Sequence, residues 1–205
     1  MSQYLWRVPT DEKAVFLTFD DGPTPEITSW VLDQLAQYNA LATFFMVGEQ
    51  VKKHPEIAHQ VIDAGHEIGN HTRTHVNGKK TSTFSYLREF AECQQILREY
   101  TGTTPTLFRP PYGRITKAQA APILNKGIDI VMMDIITGDF DLKRNARPVA
   151  ETALTHADNG SVLLFHDSLK AWPRLQEALP VVLESLANEG FRFRKIEQEE
   201  PEEDA

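Results

Sequence analysis

Short apolar runs alternate with helically spaced stretches from one end of this chain to the other, and that alternation limits its fold more than any other feature. The strand candidates are Ala14–Phe19, Leu41–Val47, His66–Gly69, Thr106–Arg109, Asp129–Ile135, Ser161–His166 and Phe191–Ile196. They are rich in Val, Ile, Phe and Thr and continuously apolar, the pattern of strands buried on both faces. Between them, Ile27, Val31 and Leu35 repeat at helical spacing, as do Leu87, Phe90, Cys93, Leu97 and Tyr100. Further helices are expected over Pro55–Ala64, Thr116–Lys126, Ala146–Ala157 and Arg174–Asn188. Gly65, Gly102, Gly127 and Gly190 follow helical patterns, where a helix-ending residue belongs. Strands and helices in alternation predict an α/β chain with parallel strands. A small or incomplete (β/α) barrel and an open doubly wound sheet both fit. In either, ligands gather at the carboxyl ends of the strands.

A chain of 205 residues holds one ordinary domain. We divide it into an extension over residues 1–13, a catalytic domain over 14–196 and an acidic tail over 197–205. Six of the 29 acidic residues lie in that tail, leaving 23 acids against 21 basic residues elsewhere, so the net charge of −8 says little about the domain. No dense basic patch is present, so a nucleic-acid partner is not expected. No apolar run approaches the roughly 20 residues of a membrane-spanning helix, and the opening segment has no apolar core of a secretory signal. The single cysteine, Cys93, excludes an intrachain disulfide and a multi-cysteine zinc cluster. A monomer is expected.

Four segments at strand ends carry candidate chemistry. Asp20 and Asp21 close the first strand before Gly22-Pro23 turns the chain. Adjacent residues point different ways, so the two carboxylates can take different roles. His71 and His75 lie four apart and converge on one ion if the segment takes a helical turn. A carboxylate such as Asp21 would complete a two-histidine, one-carboxylate set, which suits catalytic zinc or mononuclear iron. Arg109 precedes two prolines, which have no N–H, so Tyr112 supplies the first free backbone donor of a stiff loop. Arg109 is placed to brace a carboxylate by a bidentate pair. His166 ends an apolar strand, and Asp139 is a candidate to fix its tautomer and favour its charged form. Asp167 is a candidate helix cap or second orienter.

The segments TFDDGP, HTRTH, RPPYG, GDF and LFH are similar, in order, to the five motifs of the polysaccharide deacetylases of carbohydrate esterase family 4, the NodB homology domain. The resemblance spans Ala14 to Ile196. It implies a distorted (β/α) barrel with about seven parallel strands and a metal-dependent hydrolase that removes N-acetyl groups from amino sugars of a glycan, such as peptidoglycan or chitin-like oligomers. It makes Asp20 the general base, and Asp21, His71 and His75 the ligands of one divalent ion, zinc by preference, with cobalt, nickel or manganese as alternatives. Arg109 orients Asp20, Tyr112 offers its N–H to the oxyanion, and His166 is the general acid tuned by Asp139. Tyr112, Phe140 and Leu164 line the substrate. Relatives of this kind act mostly outside the cytoplasm, at the cell envelope. The fourth motif departs from the family's Asp-x-x-Asp-Trp: Ile136 stands at the first Asp and Phe140 at the Trp. A deacylase of another sugar or small amide, and a non-catalytic glycan-binding module, are the rival readings.

Overall fold

The computed structural model describes residues 4–198; the acidic tail from residue 199 onward lies outside the described residues. Among the described residues, nine strands form a single parallel sheet: β1 (Tyr4–Leu5), β2 (Ala14–Asp20), β3 (Ala42–Met46), β4 (Glu67–Asn70), β5 (Leu107–Phe108), β6 (Asp129–Val131), β7 (Ile135–Ile136), β8 (Val162–His166) and β9 (Arg192–Phe193). The order is β1-β6-β5-β4-β3-β2-β8-β7, with β9 wedged beside the start of β2. Seven helices connect them: α1 (Ile27–Ala36), α2 (Gly48–Lys53), α3 (Pro55–Asp63), α4 (Thr83–Thr101), α5 (Lys117–Leu124), α6 (Ala146–His156) and α7 (Trp172–Asn188). This is the expected α/β barrel, distorted and curled rather than closed by a continuous ladder.

The two faces of β2 show how the sequence builds it. Val15, Leu17 and Phe19 point outward into the main core with Val31 and Leu35 of α1 and Leu179 and Val182 of α7. Ala14 and Phe16 point inward, against Phe45, Leu107, Val162 and Leu164. Strand alternation carries that inward row on through Thr18 to Asp20. Phe19 is fully buried between Phe44 at 5.0 Å and Phe165 at 5.9 Å between ring centroids. Truncating a phenylalanine packed like this costs about 3–5 kcal/mol, so the strand that ends in Asp20 is held firmly. Ser82 caps α4, and Gly102 ends it at φ 72°.

Two expectations need correction. Asp129–Ile135 is not one strand: β6 ends at Val131, and β7 lies at the opposite edge of the sheet beside β8. Where β6 ends, Arg109 donates to the carbonyls of Val131 and Met132, at 3.3 and 2.8 Å. The segment before Ala14 also enters the sheet. Its β1 pairs with β6, then Arg7 bridges to Ser161, so the N-terminal segment spans the seam between β6 and β8.

Candidate metal centre and active-site cleft

Asp20 ends β2 inside the barrel and is buried, and the next residue reverses direction. Asp21 has φ 82°, a left-handed conformation uncommon for a residue with a side chain. Behind Asp20 stands Arg109, fully buried. Its Nη1 donates to Asp20 Oδ1 at 2.9 Å and to Thr18 Oγ1 at 2.6 Å. The contact with Asp20 uses one nitrogen rather than the bidentate fork expected, because Nε and Nη2 are committed to the two β6-end carbonyls. The guanidinium also lies 4.2 Å from the centroid of the Phe45 ring. A buried cation without such partners would be strongly destabilising.

His71 follows β4, and its Nδ1 lies 2.7 Å from the Arg109 carbonyl oxygen. A carbonyl only accepts, so Nδ1 carries the proton and Nε2 presents a lone pair. Burial pushes the His71 imidazole down to about 4, against the pull of Asp20. It is neutral at neutral pH, as a ligand must be. His75 arrives in the site by a different route from the one expected. The segment is not a helical turn; Thr72 and His75 take φ 64° and 58°, and these kinks bring the rings to 5.0 Å. His75 Nε2 lies 3.1 Å and His71 Nε2 3.8 Å from Asp21 Oδ1. Donor atoms of the three residues fall within 4.8 Å of one another.

Asp21 Oδ1 is buried and, apart from the approach of the two imidazoles, has no hydrogen-bond partner. Leaving a charged oxygen so costs several kcal/mol, and a cation between it and the two imidazoles removes the penalty. One carboxylate and two imidazoles fit a divalent transition metal and leave coordination positions open. Burial alone would raise the Asp21 carboxyl, but His75, with His166 and His71, holds it below the usual carboxylate range.

A residue outside the motifs fixes the histidine loop. Glu89, buried on α4, accepts from the Thr74 N–H and Oγ1, both at 2.8 Å, and from Arg73 Nη2 at 3.0 Å. Sequence reasoning missed it, although an acid three residues after Tyr86 and four before Cys93 falls on the apolar stripe of a helix and signals a buried carboxylate with partners.

On the other side of the cleft, both oxygens of Asp139 serve His166. Oδ1 lies 2.8 Å from Nδ1, and Oδ2 accepts the His166 backbone N–H at 2.7 Å. Burial lowers the His166 imidazole, but Asp139, Asp20 and Asp21 outweigh it and raise it to about 9. Its loop is pinned by Thr137 Oγ1 to the Leu164 carbonyl at 2.7 Å and by Arg174, which donates to the carbonyl of Asp139. Asp167 is placed neither as a helix cap nor beside the His166 imidazole. It accepts from the Gly22 N–H at 3.1 Å and from Thr28 Oγ1 at 2.5 Å, so it ties the loop after Asp21 to the end of β8.

Asp20, Asp21, His71, His75, Tyr112, Phe140, Leu164 and His166 all line one cleft of about 490 Å³. Arg109 and Asp139 stand behind it as supports. The Tyr112 ring sits 4.6 Å from His75, and Phe140 meets His166 edge-on at 5.2 Å. A second, more polar groove of about 470 Å³ continues past Asp21 and His75 along Glu49, Gln50 and Lys53.

A family model described as polysaccharide deacetylase matches residues 7–131. The chain belongs to the polysaccharide deacetylase family. A peptidoglycan-N-acetylglucosamine deacetylase of Bacillus cereus is 34% identical over 197 residues, covering 94% of this chain and 91% of that one. The peptidoglycan-N-acetylmuramic acid deacetylase PdaC of Bacillus subtilis is 30% identical over 191 residues, covering 93% of this chain but 39% of that longer protein. Among solved structures, the Bc1960 peptidoglycan N-acetylglucosamine deacetylase, in complex with 4-naphthalen-1-yl-N-oxidanyl-benzamide, superposes with a TM-score of 0.88 at 33% identity, over 94% of this chain and 90% of that one. No helix among the described residues is long and apolar enough to cross a membrane.

Proposed function

We propose that this chain removes the N-acetyl group from an amino sugar of a peptidoglycan-type glycan, using one divalent ion held by Asp21, His71 and His75. The observation that carries this is the convergence of those three donors in one cleft, around a buried carboxylate oxygen that meets only the two imidazoles, with Asp20 beside them and His166 lining the same cleft. Zinc is the preferred ion for an N/O ligand set of this kind. A divalent ion there supplies Lewis acidity, lowering the pKa of a water and polarising the acetamide carbonyl.

The chain's own groups supply the rest. Asp20, anchored by Arg109 and Thr18, takes a proton from the attacking water as the new C–O bond forms. The Tyr112 backbone N–H, on a loop stiffened by Pro110 and Pro111, donates to the developing oxyanion. His166 protonates the amine as the C–N bond breaks, giving acetate and a free amino sugar; without that proton the amine leaves poorly. Asp139 keeps the His166 imidazole charged and aimed. Phe140 and Leu164 wall the acetyl group, and the smaller Phe140 in place of the family's tryptophan leaves that wall lower.

Acetate release from a panel of N-acetylated glycans, with and without chelator, tests the proposal. Release from peptidoglycan that stops on chelation and returns with zinc is expected. Release indifferent to chelation, or none from any acetylated glycan, overturns it.

A further inference from the structure

Trp6 is the largest exposed aromatic on the cleft, and neither the motifs nor the proposed chemistry uses it. Its side chain is 51% exposed and lines the same cavity as Asp20, Asp21 and His166. An exposed indole on a floppy terminus would mean little, but this backbone is clamped on both sides. Leu5, one residue before, pairs with Val131, and its carbonyl accepts from the Met132 N–H at 2.6 Å. Arg7, one residue after, bridges to Ser161, donates to Asp158 Oδ2 at 3.2 Å and lies 3.6 Å from Asp134. The fold holds an apolar aromatic surface in water at a fixed point on the cleft wall, where burial in the core would have been more favourable.

Its surroundings extend that surface. Ile136 stands on β7 where the family's fourth motif places an aspartate; it is 52% exposed and lines the same cleft, as do Met132 and Met133. The neighbouring groove past Asp21 and His75 instead carries Glu49, Gln50 and Lys53. Pyranose rings present one face of C–H groups, and a rigid indole is the side chain best suited to cover it at low entropic cost.

We propose that Trp6 is a sugar-stacking platform that binds a ring of the glycan next to the one being deacetylated, making the N-terminal segment part of the substrate site and the enzyme selective for oligomers over single sugars. The proposal rests on the deacetylase reading for its substrate class. Trp6 touches no reacting atom in this assignment; it determines specificity.

The test uses the zinc-loaded full chain with β-1,4-linked N-acetylglucosamine tetramer and the monosaccharide as probes. Trp30 and Trp172 pack edge-on at 5.0 Å and partly buried against the core, so Trp6 is the indole most open to a soluble quencher. The tetramer is expected to shield wild-type fluorescence from iodide, and to shield nothing in Trp6→Phe. In Trp6→Ala, KM for the tetramer is expected to rise about tenfold, worth about 1.4 kcal/mol, with kcat nearly unchanged and monosaccharide kinetics unmoved. A misfolded variant would instead lose kcat on both probes, and Trp6→Phe, which keeps an aromatic face, should recover most of the tetramer KM. Shielding that persists in Trp6→Phe, absence of shielding in the wild type, or an unchanged tetramer KM in Trp6→Ala each overturns the proposal. Shielding by the tetramer with no acetate release from it, from peptidoglycan or from any other acetylated glycan would uphold the platform and defeat the deacetylase reading.

Discussion

Asp20 and His166 are register partners on adjacent parallel strands, β2 and β8. Neighbouring strands lie about 4.8 Å apart, so the proposed base and acid are spaced by the backbone ladder itself. Asp21, next in the chain, is turned toward the histidines by its left-handed backbone. One strand end therefore supplies two carboxylates: Arg109 holds the first, His75 lies against the second, and His71 Nε2 stands between them, 3.6 Å from Asp20 Oδ2 and 3.8 Å from Asp21 Oδ1.

The His166–Asp139 pair predicts a pH signature in the metal-free protein. The imidazole is raised from 6.5 to about 9, so the fold favours its protonated form. The stability it contributes is complete below pH 6.5 and is lost as pH rises through about 9. An NMR titration of chelated protein should place the His166 midpoint near 9. Asp139→Asn should bring it well down, since burial is then opposed only by the charges of Asp20 and Asp21. A midpoint unmoved by Asp139→Asn would contradict the pairing.

Glu89→Gln should weaken the metal centre without touching a ligand. The amide keeps the shape but loses the charge that Thr74 and Arg73 bond to. About 1–3 kcal/mol of stability should be lost, read by chemical denaturation. Zinc affinity, read by calorimetry, should fall by about 10- to 100-fold, as for other groups that orient ligands. Wild-type zinc affinity in the variant would mean that the loop is held by other contacts.

How much of this was legible in the sequence follows from what local pattern encodes. The long strands β2 and β8 and the amphipathic α4 and α7 announce themselves by periodicity, and the site residues by standing at strand ends. β1 is two residues long and has no pattern to read. The break after Val131 is invisible in an unbroken apolar run, and the guanidinium that takes the carbonyls there comes from Arg109, distant in sequence. The two histidines could be paired by spacing, but their left-handed backbone could not be foreseen. The carboxylate at Glu89 that holds that loop comes from a helix whose own pattern gives only a faint sign of it.

Gly22 has no room for a side chain. A Cβ there would stand 2.0 Å from Asp167 Oδ2 and 2.6 Å from its Cγ. Gly22→Ala should therefore displace Asp167 and loosen the turn after Asp21, costing about 1–3 kcal/mol by overpacking. Equilibrium unfolding in urea measures it. A variant as stable as the wild type would show that the link between the β2 and β8 ends is slack.

The division of labour between Asp20 and Asp21 is the centre of the account, and a zinc titration of the chelated protein that reads bound metal and acetate release together tests it most directly. Wild type should reach full activity at one equivalent. Asp20→Asn should bind its equivalent at near wild-type affinity yet release acetate about 10²–10⁴ times more slowly, as loss of a general base does. Asp21→Asn should bind weakly and recover activity in part at excess zinc. If Asp20→Asn loses the metal while Asp21→Asn keeps it, the roles of the two carboxylates are reversed and the account of the site is wrong.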